Sequence, residues 1–148
     1  MFGLGPGAGL SRVLGVDLGS KRVGLAISDD GRVLATAYRV LQRGRSHAAD
    51  HAELASIVAE SGAALVVVGL PLSLSGRSGP AARAIEAEVA ELRQVLDVPV
   101  ELCDERLTTV VASRSLGGRR PAVKRAVIDQ MAAAEILQTW LDRQRRAS

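Results

Sequence analysis

One cysteine, Cys103, stands in 148 residues, which excludes an internal disulfide framework and fits a reducing, cytoplasmic setting. Aromatic residues are almost as scarce, with Phe2, Tyr38 and Trp140 the whole set. Unpaired bases are held by stacking on several such rings, so a platform for splayed single strands is excluded and a nucleic-acid partner would be read through backbone and shape. Long apolar runs are missing too. The longest, residues 63–70, falls far short of the roughly 20 that span a bilayer. No positive residue precedes an apolar segment near Met1, so no secretory leader is expected, and the glycine-rich residues 1–10 read as a flexible tail before a single domain over 11–148. Histidine is limited to His47 and His51. Four apart on an expected helix, they could share a metal, but no third ligand stands near them in sequence.

What is present is a core and a charge asymmetry. Hydrophobic residues make up 47% of the chain, enough for one well-packed domain at this length. From Met1 to Glu105 there are 10 Lys and Arg against 13 Asp and Glu, whereas from Arg106 to Ser148 there are 9 against 3. The basic surplus lies in the last third, as suits contact with a polyanion.

Periodicity predicts the elements in turn. Val13 to Gly19 reads as an apolar strand, with Ser20-Lys21-Arg22 turning into a second strand over 23–28 and Asp29-Asp30-Gly31-Arg32 into a third over 33–40. Ser46 caps a helix over 47–60, with Ala48, Ala52, Leu54, Ala55, Val58 and Ala59 as its apolar face and Gly62 as its stop. Leu65-Val66-Val67-Val68 is a continuous run of the kind buried on both faces of a sheet. After a loop over 69–79, Pro80 opens a helix to about residue 96 whose face includes Ala84, Ile85, Val89 and Leu92. A strand over 98–103, a short helix over 108–116 and a closing helix over 122–143 follow. Three hairpin-linked strands and then alternating helices and strands predict an α/β fold. Its five-stranded mixed sheet is an antiparallel three-strand meander plus two parallel strands, with helices on both faces.

Three acidic positions interrupt this apolar pattern. In the first strand, alternation sets Asp17 on the face of Gly15 and Gly19, an acid on bare backbone with room for a ligand. Asp104 and Glu105 fall where the fifth strand ends, the place where open sheets gather their chemistry. In the closing helix, Asp129 shares one side with Ala132, Ala133, Ile136, Leu137 and Trp140, so it belongs to the apolar stripe.

Four stretches carry a resemblance: Gly15-Val16-Asp17-Leu18-Gly19-Ser20-Lys21-Arg22-Val23-Gly24, Val68-Gly69-Leu70-Pro71, Asp104-Glu105-Arg106-Leu107-Thr108-Thr109, and Ile128-Asp129-Gln130-Met131-Ala132-Ala133. In this order they resemble the YqgF family, also called RuvX, of Holliday-junction resolvases and pre-ribosomal RNA nucleases. The resemblance implies a ribonuclease H-like fold and places the catalytic acids on Asp17, Glu105 and Asp129. It alone favours Glu105 over Asp104, which stays the candidate for a fourth acid. The chain departs from the family at Ser73 and Ser75, where relatives often carry Asn and Asp, and at Val111, where a glutamate is common.

Converging carboxylates repel one another unless a divalent cation joins them, and oxygen ligands favour Mg2+ or Mn2+. The expected site is a two-metal centre, its ions about 4 Å apart, bridged by Asp17, with Glu105 and Asp129 each completing one shell. Lys21, Arg22 and Arg106 are expected to grip the scissile strand, and Arg119, Arg120, Lys124 and Arg125 its flanks. Symmetric cutting of a DNA junction implies a homodimer, whereas cutting of a ribosomal RNA precursor does not. Two rivals stand beside this reading: a catalytically weak or silent protein that binds branched DNA or ribosomal RNA, and a small actin-like ATPase, which shares the opening strand.

Overall fold

The computed structural model describes residues 11–72, 76, 78–105 and 121–147, and for residues 121–127, 129 and 130 the backbone alone. Five strands form one sheet: β1 (Val13–Leu18), β2 (Arg22–Ser28), β3 (Ala35–Gln42), β4 (Leu65–Leu70) and β5 (Val100–Asp104), in the spatial order β3-β2-β1-β4-β5. The pairs β1–β2 and β2–β3 are antiparallel, and β1–β4 and β4–β5 are parallel. Helices α1 (His47–Ser61) and α2 (Pro80–Val95) cover one face. The closing helix, α3 (Pro121–Ala147), covers the other. The mixed sheet, clothed on both sides, is the expected architecture.

Burial follows from that sandwich. Leu14, Val16, Val66 and Val68 pack toward α1 and α2, while Val13, Val67 and Cys103 pack toward Ala133, Leu137 and Leu141 of α3. Every residue of β4 is buried, since it lies between two strands and under helices on both faces. Ser46 caps α1 by accepting from the Ala49 N–H at 3.1 Å, and Gly62 ends it at φ 73°. That left-handed stop is the one the sequence predicts.

Gly15 sets how closely α3 approaches. A Cβ built there would stand 2.7 Å from Leu137 Cβ and 3.0 Å from the Ala133 carbonyl oxygen. These atoms belong to the helix framework and cannot rotate aside. Gly15→Ala should therefore push α3 off the sheet and destabilise the protein by about 1–3 kcal/mol, as overpacking does. Denaturant melts compared with wild type would measure it, and an unchanged midpoint would contradict the close packing.

Several local expectations are corrected. Strand β3 begins at Ala35, because Asp29 Oδ1 accepts from the Val33 and Leu34 N–H groups at 2.8 and 3.1 Å and prolongs the turn. Arg32, at φ 57°, is the residue that takes the left-handed conformation. Strand β5 begins at Val100, since Pro99 accepts from the Val66 N–H at 3.0 Å but has no N–H of its own to give. Along α1, Ala48, Ala52 and Ala59 are exposed, while Asp50 and His51 are buried. In α2, Ala84 is exposed and Ala82 and Glu88 are buried. Alanine is apolar enough to mark a face in a periodicity count, but small enough to lose little when exposed. The expected tail over 1–10 and short helix over 108–116 lie outside the described residues. Among the described residues no helix is long and apolar enough to cross a membrane.

Candidate active site

The three parallel strands end at the same edge of the sheet. Register pairs Val16 with Val68 and Gly69 with Cys103, so Asp17, one residue further along β1, stands beside Gly69 on the face covered by α3. Asp17 is half-buried.

Glu105 arrives at the same spot from the end of β5. A Cβ added to Gly69 would lie 3.0 Å from both Cγ and Oε2 of Glu105, and 2.5 Å from Ile136 Cδ1 of α3. The Glu105 carboxylate thus lies over bare backbone, hemmed in by the helix. Burial first, then the charges of Asp17 and Asp104, push its carboxyl up to about 7. Two acids far apart in sequence are therefore close enough to feel each other's charge. Asp104 pairs with Leu70 at the last step of β5, and strand alternation puts it on the opposite face from Cys103. Of the two neighbouring acids, Glu105 is the one seated against the α3 face.

The raised carboxyl gives a pH test in metal-free protein. Its folded pKa exceeds its ordinary value of 4.5, so the stability it contributes is fully present below about 4.5 and lost as pH rises through about 7. Thermal melts in chelator should show wild type losing stability between pH 5 and pH 8, with Glu105→Gln losing less. Parallel curves for the two proteins would show that Glu105 ionises without strain.

Asp129 lies in α3, one turn before Ala133, the residue whose carbonyl meets Gly15. Its side chain is outside the described residues, as are those of Lys124 and Arg125 in the same helix and all of Arg106, Arg119 and Arg120. Lys21 is exposed and Arg22 half-buried in the turn that leaves Asp17. Gly19 holds this turn, its N–H lying 3.1 Å from the Asp17 carbonyl and 3.0 Å from that of Arg22. A Cβ at Gly19 would fall 2.6 Å from the Arg22 carbonyl oxygen, so a side chain there forces the turn open.

Sequence reasoning missed the group that braces this turn from behind. Arg43 follows β3, and its Nε donates to the Gly19 carbonyl at 2.9 Å while its backbone N–H donates to Lys21 at 2.9 Å. Its guanidinium forks onto Glu88 at 2.6 and 2.9 Å and reaches Asp50 Oδ2 at 3.3 Å. His51 Nε2 meets Glu88 Oε2 at 2.8 Å, and the Gly44 N–H donates to Asp50 Oδ1 at 2.7 Å. Burial alone would raise the Glu88 carboxyl, but the bonds from Arg43 and His51 outweigh it and hold it below its ordinary value. The signal was there: Glu88 falls in the stripe of Ile85, Val89 and Leu92, where an acid needs a partner.

The sheet order and the helices on both faces are those of a ribonuclease H-like fold, with Asp17 and Glu105 brought near each other at the ends of its parallel strands. The structure resembles that of Thermus thermophilus RuvC in complex with Holliday junction substrate at a TM-score of 0.56, covering 90% of this chain and 95% of that one. At 15% identity this likeness is one of fold. The family is closer: residues 11–143 match the model of RuvX, Holliday junction resolvase, and the chain belongs to that family. A protein of Mycobacterium sp. (strain KMS) named "Putative pre-16S rRNA nuclease" is 50% identical over 145 residues, 96% of this chain and 85% of that one. One of the same name from Mycolicibacterium paratuberculosis is 50% identical over 147 residues, 97% of this chain and 86% of the other.

Proposed function

We propose that the protein is a metal-dependent endonuclease for structured nucleic acid, with Asp17, Glu105 and Asp129 as its catalytic and metal-holding acids. The observation that carries this reading is the Glu105 carboxylate over Gly69, within the field of Asp17 and raised to about 7. A site made of oxygen donors that repel one another suits a hard divalent cation, Mg2+ or Mn2+. Such a cation supplies an activated water and positive charge for the leaving oxygen. The protein's own part is to hold the acids rigid at strand ends, to exclude bulk water with α3, and to grip the phosphate backbone with Lys21 and Arg22. Arg106, Arg119, Arg120, Lys124 and Arg125 extend that grip. A reducing, cytoplasmic setting agrees with the single buried cysteine.

Precursor ribosomal RNA is the substrate we favour, because that name is carried by relatives half identical to this chain. A four-way DNA junction is the other, favoured by the family description, and its paired incision would take a homodimer. The deciding experiment is cleavage of both substrates by purified protein with Mn2+, with Mg2+ and in chelator, alongside its mass in solution. Metal-dependent cutting of the RNA alone supports the first reading. Paired cuts in the junction by a dimer support the second. Binding that persists in chelator, with no cleavage in either metal, would make the protein a silent binder.

A further inference from the structure

The two histidines have a third ligand after all, supplied by the helix packed beside them. We infer that His47, His51 and Glu88 form a transition-metal site of the zinc type, which clasps α1 to α2 on the face of the sheet away from the acids. One ligand atom from each of the three lies within 4.8 Å of the others. His51 and Glu88 are 2% and 4% exposed and already in contact, while His47 is exposed at the rim. The two imidazoles are one helical turn apart, with ring centroids 5.5 Å from each other. Ligands on a tetrahedral zinc lie about 2.0–2.2 Å from the ion, so the set closes by a rotation of the exposed His47 side chain rather than by backbone movement.

The surroundings suit a cation. Asp50 and Glu88 are bonded to one guanidinium, Arg43, and at the rim a third carboxylate, Glu91 Oε1, lies 3.0 Å from His47 Nδ1. With neutral imidazoles that is a surplus of two negative charges, which one divalent ion balances. The carboxylate is also held from behind. Arg43 Nη2 stays on Glu88 Oε1 at 2.9 Å and Nη1 retains Asp50 at 3.3 Å, so Glu88 Oε2 can turn to the metal with the carboxylate still oriented. An entry path exists, because His47 and Glu88 both line an open cavity of about 540 Å³ between the β1–β2 turn and the two helices. Imidazole nitrogen selects zinc, cobalt or nickel over magnesium, which sets this site apart from the oxygen-only acids.

The test is titration of the full-length, untagged protein with Zn2+ and Co2+ by calorimetry, reading the visible absorption of bound Co2+ as a report on ligand number. Wild type and Asp17→Asn should show the same tetrahedral cobalt spectrum, from one ion at this site. His47→Gln, His51→Gln and Glu88→Gln should each bind at least ten-fold more weakly. His47 is exposed, so its variant keeps the fold by circular dichroism and decides the matter if the buried variants unfold. Equal uptake by His47→Gln and wild type would overturn the site. So would unchanged affinity in a folded Glu88→Gln, which would reduce it to a bare histidine pair. Loss of uptake in Asp17→Asn would place the ion at the acids instead. Failure here leaves the nuclease reading untouched, since that is tested by cleavage in Mn2+.

Discussion

Asp17→Asn should lower phosphodiester cleavage about a thousand-fold while leaving the fold intact. The amide keeps the shape of the carboxylate but removes the charge on the central strand, where the acid edge meets β4. Loss of a metal's charge stabilisation is worth several kcal/mol in the transition state, and each 1.4 kcal/mol is a factor of ten. Binding should change far less, because phosphate contacts by basic side chains carry most nucleic-acid affinity. Single-turnover cleavage in saturating Mn2+, beside an equilibrium binding titration, separates the two quantities. The substitution also removes one of the charges that raise Glu105, so in chelator the Asn variant should melt no lower than wild type near pH 8. A variant that still cuts at the normal rate would take Asp17 out of the chemistry.

The sequence made the sheet and the acid edge legible because both rest on local patterns. An apolar strand with one acid between glycines, a four-residue apolar run and a capped helix each announce themselves within a few positions. Glu105 was less accessible, since the residues alone left it equal to Asp104. What separates them is which face each takes at the end of β5, and that is settled by the pairing of Gly69 with Cys103 and Leu70 with Asp104. The Arg43 group was legible only in Glu88, an acid set in the apolar stripe of α2. Its members come from the end of β3, from α1 and from α2, and no period links positions 43, 50, 51 and 88. The alanine-rich α1 misled in the same way: Ala48 and Ala52 fit a helical stripe, yet the buried positions are Asp50 and His51, drawn inward by partners a sequence pattern does not show.

That buried group is where a single substitution should cost the most stability. The side chain of Arg43 is 13% exposed, and those of Asp50 and Glu88 are 10% and 5%. Removing the guanidinium strands two carboxylates in poorly solvated surroundings, a loss of about 3–5 kcal/mol for a buried pair broken from one side. Arg43→Ala should accordingly melt about 10 °C lower in a chain of this length. Arg43→Lys keeps the charge without the fork that meets both Glu88 oxygens, and should fall between the two. Pairing Arg43→Met with Glu88→Gln removes both charges of the tighter pair while leaving an amide for His51, so it should recover part of the loss, which charge burial predicts and simple loss of packing does not. The effect should also reach the chemistry. Because Arg43 Nε holds the Gly19 carbonyl, directly behind the turn that leaves Asp17, Arg43→Lys assayed well below its melting temperature should cut more slowly with little change in KM. A lysine variant as fast and as stable as wild type would mean that the turn stands without its brace.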